Sequence, residues 1–301
     1  MLIERHEIPR GDAILLPDAS APLQIHHADN LAVTARLPSN AFDLIYLDPP
    51  FNTGKVRARP TYVTQPDGEA ARRGFHGRSY SVDRVAGAGA YSDAFDDYLG
   101  FLEPRLREAH RLLAETGSLF LHLDCREVHY AKVLLDSIFG RASFVNEIVW
   151  AYDYGARSKR RWSRKHDNLL WYAKDPDRYT FHYDAIDRIP YLAPDLVTPE
   201  KAARGKTPTD TWWHTIVSPT GREKTGYPTQ KPLGVLNRIV RVHSSPGDLL
   251  LDSFAGSGSF GEAAVRNGRR CVLIDDNPAA IEVMRRRLAF AQPVFADGET
   301  S

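Results

Sequence analysis

Short apolar runs alternate with helical stretches along the chain. Runs at 42–47, 118–123, 249–252 and 271–275 read as buried strands, and a weaker one spans 23–27. Leu102, Leu106, Ala109, Leu112 and Leu113 recur at the spacing of one helix face. Val128, Val133, Leu134, Leu135 and Ile138 do the same for a second helix, with Gly140 as its stop. Pro104 should mark the start of the first helix or a kink in it. A third helix is expected from Pro232, a residue suited to a first turn, through Leu236, Ile239 and Val240. A fourth should begin at Pro278 behind Asn277 as cap, with Ile281, Met284 and Leu288 facing inward. Such alternation builds a mainly parallel sheet with helices on its faces. Two more runs, 144–152 and 168–173, should form an antiparallel pair at one sheet edge.

Two segments break this pattern. Residues 53–92 are rich in Gly, Arg, Ala and Ser and far exceed the usual connection of about four to six residues, so a mobile functional loop is expected there. Between Asp175 and Tyr227 periodicity fades, prolines recur and a Trp212-Trp213 pair appears. Residues 176–226 are therefore expected as an irregular specificity insert, within a main domain formed by 1–175 and 227–301.

The composition of 301 residues, 43% apolar and 26% charged, suits a packed core and excludes disordered or fibrous classes. No apolar run reaches the roughly 18 residues of a membrane span. Residues 1–10, with Glu4, Arg5, His6 and Glu7, lack the apolar stretch of a signal peptide, so a cytoplasmic protein without membrane contact is expected. Cys125 and Cys271 are too few for a disulfide framework or a cysteine zinc site, and no metal is expected. Charge is balanced overall, 39 basic residues against 38 acidic, but it is unevenly placed. Arg157, Lys159, Arg160, Arg161, Arg164 and Lys165 form a run without acids, interleaved and flanked by Trp162, Tyr154 and Tyr152. Residues 53–88 add seven basic side chains and three acidic ones. Basic clusters with aromatics suit a phosphate backbone, so double-stranded DNA is the expected partner.

The stretch Leu249-Leu-Leu-Asp252-Ser-Phe254-Ala-Gly256-Ser-Gly258-Ser-Phe260-Gly261 reads as strand, glycine turn and helix. Glycines 256 and 258 let the backbone approach a ligand, at which the helix points its amides. Asp275 ends the next strand, nineteen residues beyond Gly256, where a carboxylate can accept from both ribose hydroxyls. Asp252 would repel a pyrophosphate but suits a cation. An adenosine ligand bearing positive charge is indicated, S-adenosylmethionine rather than a nicotinamide dinucleotide.

A second motif, Asp48-Pro49-Pro50-Phe51, follows the strand 42–47, where open α/β sheets place ligands. Together with Thr229-Gln230-Lys231-Pro232 and Asp252-x-Phe254-x-Gly256-x-Gly258 it resembles the β class of S-adenosylmethionine-dependent DNA amino-methyltransferases, in which the catalytic motif precedes the cofactor motif. Smaller matches extend the resemblance across nearly the whole chain: Ala28-Asp29-Asn30, Tyr91-Ser-Asp-Ala-Phe95, the stretch from Arg111 to Gly117, Asp210-Thr-Trp212, and His166-Asp-Asn-Leu-Leu-Trp-Tyr-Ala-Lys174. The resemblance implies a Rossmann-like α/β fold with a mainly parallel seven-stranded sheet in circularly permuted motif order, and suggests a homodimer. It also implies that Asp252, Phe254, Gly256 and Gly258 line the methionine side of S-adenosylmethionine and that Asp275 binds ribose. Asp29 would accept from the adenine amino group, and Lys231 would close the pocket near the methionine tail beside Asp48.

The chemistry supports the tetrapeptide independently. An exocyclic amino nitrogen is a poor nucleophile because its lone pair is delocalised into the ring. Acceptors for both amino hydrogens, the Asp48 carboxylate and the Pro49 carbonyl, would hold that nitrogen toward tetrahedral geometry, and the prolines remove competing donors. The base must leave the duplex at a cost of a few kcal/mol. Stacking on Phe51 would return about 1 to 3 kcal/mol, and phosphate contacts the rest. Asp48 favours N6 of adenine, with N4 of cytosine as the alternative, since the resembling cytosine enzymes usually carry Ser there. A non-catalytic DNA-binding module is a second alternative, opposed by the intact motifs. Carbon-5 methylation would require a cysteine after proline; Cys125 and Cys271 follow Asp124 and Arg270.

Overall fold

The computed structural model describes residues 14–57, 61–66, 72–73, 79–85, 91–153, 157–218 and 221–297. In chain order its strands are β1 (Leu23–His27), β2 (Phe42–Leu47), β3 (Lys55–Arg57), β4 (Thr61–Pro66), β5 (Arg72–Arg73), β6 (Ser79–Val85) and β7 (Tyr91–Asp93). There follow β8 (Leu113–Leu123), β9 (Phe144–Ala151), β10 (His166–Ala173), β11 (Thr211–Trp213), β12 (Leu249–Asp252), β13 (Arg270–Asp275) and β14 (Val294–Asp297). The helices are α1 (Asn30–Thr34), α2 (Tyr98–Leu112), α3 (Val128–Phe139), α4 (Pro199–Arg204), α5 (Leu233–His243), α6 (Ser259–Arg266) and α7 (Pro278–Arg287).

The main sheet runs β11-β9-β10-β8-β2-β12-β13-β1-β14. Its seven central strands are those the apolar runs indicate, with β11 and β14 added at the edges. Only β10 runs against its neighbours. Alternation along the strands explains why the runs look continuously apolar: β2, β8, β10, β12 and β13 bury side chains on both faces. Leu44, Tyr46, Leu250 and Leu273 point into one core with α5, α6 and α7. Ile45, Leu47, Leu251 and Ile274 point into the other with α1, α2 and α3. The result is a three-layer α/β sandwich.

Several boundaries differ from the sequence expectation. The antiparallel pair β9 and β10 lies one strand in from the edge, because Thr211–Trp213 returns from the insert to pair with Val149–Ala151. Trp212 is buried there in the same apolar cluster as Trp150, which secures a strand only three residues long. Helix α2 starts at Tyr98, capped by Asp97 accepting from Gly100 N, and Pro104 lies inside it. The cap and the buried Tyr98, Leu102 and Leu106 outweigh the one bond that proline cannot donate. Leu113 belongs to β8, and Pro232 is the residue preceding α5. The segment 53–92 carries strands in its described parts: β3 pairs with β7, and β6 pairs with β4 and β5. Among the described residues no helix is long and apolar enough to cross a membrane.

Candidate active site

A cavity of about 740 Å³ opens over the carboxyl ends of β1, β2, β12 and β13 and extends to β8, β9 and β10. It brings together Asp29, Asp48, Pro49, Pro50, Phe51, Lys231, Asp252, Phe254, Gly256 and Asp275. Gly258 stands apart from its lining. Its φ of 72° closes the turn before α6, and a Cβ there would lie 2.8 Å from Met284 Cγ, so it serves packing against α7.

The turn after β2 is fixed from several sides. Tyr98 donates to the Pro50 carbonyl at 2.7 Å, and Arg126 reaches the Phe51 carbonyl at 3.5 Å. Asn52 takes the left-handed conformation, φ 51°. Its side chain donates to Glu127 at 2.8 Å and accepts from Phe95 N at 3.1 Å. The Phe51 ring lies against His122, centroids 5.7 Å apart. Lys231 forms an ion pair with Asp48 Oδ2, its Nζ 5.0 Å from the Phe51 ring centroid.

On the glycine side, Asp275 Oδ2 accepts from Gly256 N at 2.7 Å and Oδ1 from Asn277 N at 2.9 Å, so one carboxylate ties the loop to the start of α7. Burial pushes the Asp275 carboxyl up to about 6. Asp252 is 2% exposed and accepts from Phe254 N. Burial, with Asp48 and Asp275 nearby, pushes it well above the ordinary carboxylate range. The position after Asp275 also faces the cavity, through Asp276. Asp29 caps α1 by accepting from Leu31 N and pairs with Arg105 at 3.1 Å while still lining the cavity. Capping α1 therefore leaves Asp29 facing the cavity.

The basic run lies on the connection from β9 to β10. Tyr152 and Asp167, which flank this connection, both line the cavity; none of the residues from Arg157 to Lys165 does. Arg157, Lys159, Arg160, Arg161 and Arg164 are exposed, Lys165 is half-buried, and Trp162 is 96% exposed. Arg157 pairs with Asp153. Tyr154 lies outside the described residues, as do parts of the second basic segment.

Sequence reasoning missed Tyr46 and Asp167, which line the β10 side of the cavity, and the buried His122 behind them, and it read Tyr152 only as an aromatic beside the basic run. The available signal was a histidine inside the apolar run Leu119-Phe-Leu-His122-Leu123, together with an acid, Asp167, at the start of another apolar run.

The DNA methylase profile for N6/N4 methyltransferases matches residues 42–286. The chain belongs to that family. This methylase is 28% identical over 281 residues to the DNA adenine methyltransferase YhdJ of Escherichia coli (strain K12), spanning 91% of this chain and 85% of that one. Its structure resembles the M1.HpyAVI–SAM complex with TM-score 0.55 at 20% identity, covering 88% and 98% of the two chains. It also resembles the cytosine-N4-specific PvuII DNA methyltransferase, TM-score 0.56 at 13% identity, covering 91% and 94%. These likenesses establish the methyltransferase fold, with the Asp48–Phe51 turn of this methylase preceding its glycine loop in the chain.

Proposed function

We propose that this methylase transfers the methyl group of S-adenosylmethionine to N6 of an adenine rotated out of double-stranded DNA. The observation that carries the reading is the meeting, in one cavity, of the Asp48 turn with the glycine loop and Asp252. The cavity falls within the size range of small-molecule sites. Burial raises the Asp252 carboxyl, and a cationic ligand beside it would favour its charged form, which fits S-adenosylmethionine. In this reading Asp252, Phe254 and Gly256 hold the methionine side and Asp275 the ribose. Asp29 faces the adenine end, and Gly258 keeps the loop in shape.

When bound, S-adenosylmethionine supplies an electrophilic methyl carbon. The protein's own contribution is orientation. Asp48 and the Pro49 carbonyl accept from the amino group, and Phe51 stacks on the base. Lys231 now engages Asp48 beside the Phe51 ring, where the reading puts the amino group; it must swing away before the base enters, and the methionine carboxylate is its natural new partner. The fixed turn at Pro50 to Asn52 means that little of the site has to be organised at that moment. Arg157, Lys159, Arg160, Arg161, Arg164 and Lys165 hold phosphates.

The named adenine relative supports N6; the likeness to a cytosine-N4 enzyme keeps cytosine as the second reading. Methylation-free DNA, incubated with the protein and S-adenosylmethionine and then digested to nucleosides for mass spectrometry, decides between them. N6-methyladenine is the expected product. N4-methylcytosine would establish the second reading, and no methylated base would leave a DNA-binding module.

A further inference from the structure

Asp48 uses one oxygen in its ion pair, while Oδ1 is buried without a hydrogen-bond partner among the described residues. His122 Nδ1 lies 3.8 Å from that oxygen. The imidazole is fully buried and held on both sides: Nδ1 is 2.7 Å from the Tyr46 hydroxyl and Nε2 is 3.3 Å from Asp167 Oδ2. Tyr152 donates to Asp167 Oδ1 at 3.1 Å. The charged and titratable groups around His122 are thus Tyr46 and Asp48 from the β2 side, Asp167 from β10, Tyr152 after β9, and Lys231 across the cavity. The rings of Phe51 and Trp150 flank it.

A histidine that merely packs looks different in this chain. His243 lies among the rings of Phe120, Trp171 and Phe181, and burial pushes it down to about 3. His122 instead stands between two carboxylates. Burial pushes Asp167 up, but its hydrogen bond with His122, the charges of His122 and Lys231 and the Tyr152 bond outweigh this and leave it lowered. Asp167 therefore stays anionic, able to hold an imidazolium.

We propose that His122, positioned by Asp167 and Tyr46, takes over the proton that Asp48 collects from the methylated amino group. The proposal rests on the preceding reading. The amino lone pair forms the N–C bond as the S–C pair stays with sulfur, and the nitrogen becomes cationic. It gives one proton to Asp48, which becomes neutral. Asp48 passes that proton to His122 Nδ1, and the Tyr46 hydroxyl turns from donor to acceptor. The Asp48 carboxylate is thereby restored; once the product has left, Nδ1 returns its proton to solvent by way of Asp48, which lines the cavity, while Nε2–H stays on Asp167 and the ring regains its starting tautomer. Each step moves one proton and no electron beyond the displaced pair. The 3.8 Å gap must close, as catalytic contacts commonly do only in the reacting complex.

The test is single-turnover transfer of tritiated methyl groups from S-adenosylmethionine to methylation-free plasmid DNA between pH 5.5 and 9. In the wild type the rate should rise with pH through a step. His122→Gln should be slower by about a hundredfold and lack that step, with cofactor Kd within about twofold of wild type. Asp167→Asn should keep the step but move it to lower pH, because the imidazolium loses its counter-ion. A wild-type step in His122→Gln, or an unmoved step in Asp167→Asn, overturns the role of His122. If His122→Gln fails to fold, Asp167→Asn decides alone. A wild type that binds cofactor yet methylates no DNA overturns the underlying reading instead.

Discussion

Asp48 faces two groups, the Lys231 ammonium in an ion pair and His122 Nδ1 at 3.8 Å, and its value depends on which partner it takes. Its ion pair with Lys231 joins two side chains that are 14% and 11% exposed, so breaking the pair leaves a poorly hydrated carboxylate that needs a new donor. An exocyclic amino group is such a donor. Asp48→Ala should therefore reduce methyl transfer by at least about a thousandfold while changing cofactor Kd only a few-fold, since the glycine loop is held by Asp275. Residual transfer near the wild-type rate would remove Asp48 from the mechanism. Asp275 gives a pH prediction. With burial raising it to about 6, it is mostly charged at pH 7.5 and mostly protonated at pH 5.5. Protonation takes away acceptor capacity shared by Gly256 N, Asn277 N and a ribose, so cofactor affinity should fall several-fold on acidification. Equilibrium dialysis across that range should show Asp275→Asn with a flatter dependence; an unchanged slope would place the titration elsewhere.

At the level of elements, β2, β8, β10, β12 and β13 were legible because each buries both faces and shows as an apolar run, and β1 and β9 because one buried face suffices to mark them. The two motifs were legible because their chemistry demands particular residues beyond particular strands. Other parts were written in contacts distant along the chain. β11 exists because Trp212 packs beside Trp150, and nothing local in Thr211–Trp213 declares a strand. The strands in 53–92 were hidden beneath Gly and Arg content, although Thr61-Tyr-Val-Thr and Ser79-Tyr-Ser-Val alternate with β-branched and aromatic residues. His122 escaped because a histidine in a strand is mute until its neighbours across β2 and β10 are known. The glycine turn shows the same division. Gly256 and Gly258 were both expected at the ligand, yet Gly258 answers to α7. Gly258→Ala meets Met284 Cγ at 2.8 Å and a φ of 72°. It should destabilise the protein by about 1 to 3 kcal/mol, visible as a Tm lower by several degrees. A Gly258→Ala protein of wild-type Tm would contradict the packing role.

For the whole molecule, near-neutral charge argues against general polyanion binding, so DNA affinity must come from where the charge is put. The connection from β9 to β10 carries its cations between Tyr152 and Asp167, two residues that line the cavity holding Asp48. On the proposed function, phosphate contacts made by this connection would offset what stacking on Phe51 leaves of the extrusion cost. Each phosphate neutralised releases condensed counterions, so log K falls with log salt by about 0.9 per contact. Replacing Arg160 and Arg161 by Gln should therefore reduce the magnitude of that slope by roughly 2. It should weaken binding at low salt far more than at high salt, and leave cofactor Kd unchanged because neither residue lines the cavity. Fluorescence anisotropy with one labelled duplex, titrated at salt concentrations from about 50 to 200 mM, measures all of this but the cofactor affinity. An unchanged slope would return the run to an ordinary solvated surface, and the phosphate contacts would then have to come from the other basic segment, 53–88.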